Sequence, residues 1–398
     1  MLLRYKVKNY KSIADELVVD LTAGSIKEHC DSLITVNKIN ILPLAAFFGA
    51  NASGKSNLLQ SLFAMRYEVI SGNGLFSTFY YDSNKRDDVI EIEVCLYIES
   101  LNKEIRFGFT RLEKDIMEEW MFAKTFSNTP NLNETCVYYR KKGEKLISDL
   151  KDNVELKELG FVASVSGDNE LILTNIGKRN ISKYSAVFMW FRYNLLPLDY
   201  SGVYSSIAID DQELLELLYK KELPLLEIEK FIKVVDSDIK GLEIREELDS
   251  NMNKRYKVYS KHLTKDNIEM EVPFSTESCG TKKVFSLALF VNSALKGGKV
   301  LVCDELDCKL HPLLLRYFVR MFADKKINVG NGQLIFTSHN LVCLDSSDLR
   351  RDEIWFVEKN NQKTSVFSLY DFKEESIRKD LSFGKHYLNG RFGAIPFN

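Results

Sequence analysis

The sequence predicts an α/β fold with a mixed central sheet, an antiparallel β-subdomain and an inserted α/β region. Three observations predict it. Short apolar runs at 41–48, 300–303 and 334–336 have strand length and end in polar residues, as buried strands do. Apolar residues at helical spacing separate those runs. Between 88 and 126 the chain alternates like a β-meander.

Residues 2–9 place Leu3, Tyr5 and Val7 against Arg4, Lys6 and Lys8, a half-buried strand. A second strand follows at 15–21 and a buried one at 40–48. A glycine-containing loop, 49–56, leads into a helix over 57–67, whose apolar positions are Leu58, Leu59, Leu62, Phe63 and Met65. The meander occupies 89–98, 104–112 and 119–126. Helices are predicted at 149–159 and 211–235, with short strands at 257–259 and 268–272. A helix at 275–295 stops at Gly297-Gly298. Then come a strand at 299–303, a helix at 307–323 with Pro312 early in it, a strand at 333–337 and a hairpin of 353–357 with 364–368. No internal repeat or sustained heptad run is visible.

The 398 residues suit two or three structural units. The expected division is 1–127, an N-terminal lobe; 128–262, an inserted mixed region without an assignable motif; and 263–398, a C-terminal lobe. With 54 Lys+Arg against 56 Asp+Glu the formal charge is -2, which excludes a surface that is cationic all over. Seven scattered cysteines without a CxxC read as reduced thiols, and Cys308 near His311 lacks further ligands for a metal site. No signal peptide or membrane-spanning run is read, so a cytoplasmic location is expected.

Four motifs carry chemistry. Gly49-Ala50-Asn51-Ala52-Ser53-Gly54-Lys55-Ser56 fits GxxxxGK[ST] between a buried strand and a helix. Such a loop wraps phosphate with backbone N–H groups; Lys55 would reach the β/γ-phosphates and Ser56 would ligate Mg²⁺. Val300–Cys303 runs into Asp304-Glu305. Two acids at the tip of a core strand need a cation: Asp304 suits the metal, Glu305 a general base on water. His339 follows the strand at 333–337, where it could bond a γ-phosphate or the attacking water; alone, such a histidine reads as an ordinary surface residue. Glu277-Ser278-Cys279-Gly280-Thr281-Lys282 opens a helix, which makes either a second anion site or a simple cap.

The order of these motifs resembles ABC-type ATPases, specifically the soluble SMC/RecF-like branch. Ser278-Cys279-Gly280 sits where that superfamily has serine-glycine-glycine, with Cys279 replacing the middle glycine. Residues 3–12 resemble that branch's first strand. Asn51-Ala52-Ser53, Asp304-Glu305-Leu306-Asp307, Leu310-His311-Pro312 and the tail at 387–396 are similar to the AbiLii-like and RloA-like ATPases of phage-defence and restriction-linked loci. The resemblance covers about 1–70 and 270–398. It implies a P-loop ABC-type ATPase head in which two protomers sandwich ATP and Mg²⁺. Gly49, Asn51, Ala52, Ser53, Gly54, Lys55, Ser56 and Asn57 of one copy would face Ser278 and Gly280 of the other. Glu305 would be the base, His339 the sensor, and Ser56 with Asp304 would hold the metal. It also implies a homodimer or higher even oligomer and a separate effector, a nuclease or toxin, encoded nearby.

A transporter subunit is disfavoured because Ser56 and Ser278 lie 222 positions apart. An in-chain nuclease after His339 has only 59 residues available. The remaining alternative is a RecF/SMC-like DNA-binding maintenance ATPase. Lys254-Arg255-Tyr256-Lys257 with Tyr259 and Lys261 mixes aromatics and cations, as nucleic-acid surfaces do. The same residues also suit a solvated edge strand, where lysines prevent sheet pairing.

Overall fold

The computed structural model describes residues 1–127, 133–199, 212–222, 224–344, 347–372 and 383–395. Its centre is a six-stranded sheet in the order β10 (Leu195–Asp199), β14 (Val300–Asp304), β15 (Gln333–Thr337), β5 (Leu44–Phe48), β16 (Ile354–Asn360) and β17 (Lys363–Ser368). The first five are parallel and β17 runs antiparallel, so the sheet is mixed. Period-two alternation splits its side chains between two cores. Ala45, Phe47, Val300, Val302, Ile335 and Trp355 enter one. Leu44, Ala46, Phe48, Leu301, Cys303, Leu334 and Phe336 enter the other.

The first core is closed by an antiparallel sheet of β2 (Leu17–Asp20), β1 (Leu2–Lys8), β6 (Ile90–Ile98), β7 (Lys103–Leu112), β8 (Asp115–Thr125) and β9 (Thr135–Lys141). Between the sheets lies α1 (Lys55–Ser71), with Leu58, Leu62, Phe63 and Met65 buried. A short α2 (Ser83–Arg86) precedes β6; α3 (Asn153–Val165), α4 (Ile172–Arg179) and α5 (Ser185–Met189) complete this side. The second core is covered by α6 (Gln212–Tyr219), α7 (Leu225–Val235), α8 (Cys279–Gly297), α9 (Pro312–Ala323) and α10 (Phe383–Leu388). A small pair, β3 (Ile34–Val36) and β4 (Ile39–Ile41), precedes β5. No helix among the described residues is long and apolar enough to cross a membrane.

Several elements differ from the sequence reading. The strand expected at 40–48 divides at Pro43 into β4 and β5, because proline has no N–H for a ladder. The helix expected at 211–235 is two helices, with Pro224 capping α7; Asp211 and Leu223 lie outside the described residues. The helix expected from 307 begins at Pro312, after His311, whose Nδ1 accepts the Leu313 N–H as a cap. Strands from 128–262 enter three sheets: β9 the antiparallel one, β10 the central one, and β11 (Ile239–Leu248) with β12 (Lys254–Leu263) a third that β13 (Glu269–Pro273) completes.

The basic segment at 254–261 is the central strand of that third sheet, not an edge. Its cations face acids on neighbouring strands. Lys254 pairs with Glu246, Lys257 with Glu247, and Lys261 with Glu243, Glu269 and Glu271. The charge density seen in the sequence is therefore largely answered within the sheet.

Candidate active site

Parallel strands place the loops after their C-terminal ends along one crevice. Here β5, β14 and β15 end in the phosphate loop, the acids and the histidine motif. In the loop, Ala52 (φ 62°) and Gly54 (φ 107°) are left-handed. Left-handed residues within such a loop turn successive N–H groups toward one concavity. Lys55 is buried, and its ammonium donates to the Gly49 and Ala50 carbonyls at 2.9 Å each. Burial lowers its pKa to about 8, against the pull of Asp304, Asp307 and Glu305.

Segments far apart in sequence brace this loop. Thr364 Oγ1 on β17 donates to the Ser53 carbonyl at 2.8 Å and can accept the Ser12 hydroxyl at 2.8 Å. Asn57 donates to Ser12 Oγ at 2.7 Å, so its side chain serves this brace. The Ala50 N–H bonds the Ala394 carbonyl of the tail at 3.2 Å, and Tyr387 Oη donates to the same carbonyl at 2.9 Å. Pro396, the last residue of the tail motif, lies outside the described residues.

Asp304 is buried, and one oxygen accepts the Thr337 hydroxyl at 2.6 Å. The same hydroxyl oxygen accepts the Glu305 N–H at 2.7 Å. Glu305 is exposed and left-handed (φ 51°), which projects its carboxylate from the strand tip. The His339 and Asn340 N–H groups donate to Asp307 Oδ2 at 3.1 and 3.0 Å. Partial desolvation of this otherwise exposed ring, reinforced by Lys55, lowers the pKa of His339 and so favours the neutral imidazole. Sequence and fold thus bring Gly49–Ser56, Asp304, Glu305 and His339 to one sheet edge.

Ser278 caps α8, accepting the Thr281 N–H at 3.1 Å. Among the described residues no hydrogen bond joins Ser278 or Gly280 to the phosphate loop. The start of α8 instead lies beside the acidic turn; a Cβ on Gly280 would sit 3.9 Å from the Lys309 carbonyl.

The donor set fits a magnesium nucleotide. Ser56 and Asp304 carry hard oxygen donors of the kind Mg²⁺ takes. Ser53 Oγ and Asp307 Oδ1 are buried without a hydrogen-bond partner among the described residues, so polar atoms at the crevice await one.

Residues 44–345 match the family model described as "AAA domain, putative AbiEii toxin, Type IV TA system". The chain belongs to this family. It is a P-loop ATPase of AAA type. Among solved structures, this AbiEii-type chain is similar to the SMC head domain from Thermotoga maritima, with 16% identity, 92% of this chain and 98% of that chain covered, and a TM-score of 0.41. It is also similar to an Smc head bound to the C-winged helix domain of ScpA (14% identity, 92% and 97% covered, TM-score 0.45). A third is the Smc head with a coiled coil and joint from Pyrococcus yayanosii (12% identity, 98% and 99% covered, TM-score 0.46). These TM-scores lie below 0.5, so the architecture rests on the chain's own strand order. No curated protein matches it.

The sequence reading of this AbiEii-type ATPase missed Asp199. It ends β10 directly beside Asp304 in the strand register and is buried. Its signal was Leu195-Leu196-Pro197-Leu198 followed by an acid, the same pattern as Val300–Asp304. Pro197 obscured it, yet β10 is an edge strand, where proline is tolerated.

Proposed function

We propose that this chain is a Mg²⁺-dependent ATPase that closes as two copies around ATP and thereby controls a separate effector, a nuclease or toxin, in anti-phage defence. The observation that carries the reading is the meeting, at one sheet edge, of the Lys55 phosphate loop with Asp304 and Glu305. Lys55 would exchange the Gly49 and Ala50 carbonyls for phosphate oxygens. Ser56 and Asp304 would hold Mg²⁺, which neutralises charge on the β/γ-phosphates. Glu305 takes the proton of an attacking water, whose oxygen bonds phosphorus as the bond to ADP breaks. His339 can donate a ring N–H to a γ-phosphate oxygen. Ser278 and Gly280 would face the nucleotide of the second copy.

The family's description as an AbiEii-type toxin of a toxin–antitoxin system supports a defence role. The paired cations of β12 weigh against a DNA-loading clamp. Glu305→Gln is the decisive variant: ATP binding should persist, turnover should vanish, and an ATP-dependent dimer should accumulate on size exclusion. Retained hydrolysis would remove Glu305 as base. Absence of ATP binding by the unaltered chain would remove the ATPase reading, and salt-dependent DNA binding would favour the clamp.

A further inference from the structure

Lys283 is a lysine side chain within the buried stretch of α8 that runs on to Leu295. Its ammonium donates to the Glu305 carbonyl at 3.2 Å and to the Cys308 carbonyl. We propose that Lys283 is a positioning residue for hydrolysis, tying the first turns of α8 to the turn that carries Glu305. This inference rests on the ATPase reading above.

The turn that carries Glu305 is strained. Glu305 (φ 51°) and Lys309 (φ 59°) are both left-handed, a conformation that costs a residue with a Cβ about 1–2 kcal/mol. Such a turn persists only where its surroundings over-determine it. Glu305 is gripped on both sides. Its N–H goes to Thr337 Oγ1, and its carbonyl accepts both Lys283 and the Cys308 N–H at 3.0 Å. The carboxylate between these grips remains exposed.

A methionine would fill nearly the same volume without burying a charge. Burial lowers the Lys283 pKa, so the site bears a desolvation cost that its hydrogen bonds must offset. What lysine adds over methionine is its donors. Lys283 follows Ser278 by five residues on the same helix. A shift of the α8 N-terminus on contacting the second copy's nucleotide would therefore move the Glu305 carbonyl with it. Engagement in one site would align the base of the other through one side chain.

The test uses the full chain carrying Lys283→Met or Lys283→Gln. For the methionine variant we expect kcat to fall by about 100-fold, the scale of a displaced catalytic group. ATP affinity should stay within about twofold, the signature of an interaction that acts on the chemical step. ATP-driven dimerisation, read in the Glu305→Gln background, should also survive. Glutamine keeps N–H donors with a shorter reach and should fall between. Unchanged kcat in the methionine variant, or a joint loss of ATP affinity and kcat, would overturn the proposal. Should the methionine variant fail to fold, glutamine decides: reduced kcat at unchanged affinity supports the role, and unchanged kcat removes it. An unaltered chain without turnover removes this inference together with the ATPase reading; turnover insensitive to Lys283 removes this inference alone.

Discussion

The phosphate loop and the acidic turn sit at the same edge of one sheet, but they are held in different ways. The loop at 49–56 is a backbone device. Its shape comes from left-handed residues, and it is braced by distant chain: Ser12 from the N-terminal strands, Thr364 from β17 and Ala394 from the tail. The turn at 304–310 is a side-chain device, gripped by Thr337 from the adjacent strand and Lys283 from α8. The difference teaches that binding and chemistry can fail separately. Damage to the brace should remove nucleotide binding. Damage to the grips should leave nucleotide bound and unreactive.

The strongest way to break the comparison is Gly54→Ala. A Cβ there would lie 2.1 Å from Thr364 Oγ1, on a residue at φ 107°. Overpacking and strain of about 3 kcal/mol together predict a loss of ATP affinity on the order of 100-fold. Calorimetric titration should show it. If affinity survives, the brace does not shape the loop.

Thr337→Val tests the other half. It is nearly isosteric but removes the partner of the Glu305 N–H and of Asp304. An unmet buried group costs about 1–3 kcal/mol, so we expect a lower melting temperature and a clear fall in turnover. ATP affinity measured without magnesium should change little. Equal losses of binding and turnover would erase the distinction between the two loops.

The smallest effect is one of pH. Lys55 has a pKa near 8 in the folded chain, lowered chiefly by burial from the usual 10.5. Phosphate recognition needs the charged form. ATP affinity should therefore hold below pH 8 and decline above it, approaching about tenfold per pH unit. Stability moves the other way: between 8 and 10.5 the unfolded chain binds more protons, so the Lys55 contribution to stability rises with pH. Weakening of ATP binding with an intact thermal transition would thus identify Lys55. A flat affinity profile from pH 7 to 9.5 would exclude it as the titrating contact.

Legibility followed the same division. The phosphate loop was readable because its chemistry occupies eight consecutive residues, and Asp304-Glu305 because they directly follow an apolar strand. Asp199 was not, since its meaning lies in pairing with a strand that follows about a hundred positions later. For Lys254–Lys261 the sequence left two readings, a surface for anions or a solvated edge strand; the facing glutamates of β11 and β13 show a paired central strand instead.

The sequence by itself determined the α/β class, the strand–loop–helix of the phosphate site, the acids, and the helix that Ser278 caps. Each is encoded locally, in side-chain periodicity or in one short segment. Only the tertiary structure decided the strand order, the Asp199–Asp304 pairing, the Ser12–Thr364 brace and the Lys283 grip. These depend on which distant segments become neighbours when two apolar sheet faces are buried at once, and local residue pattern carries no record of that choice.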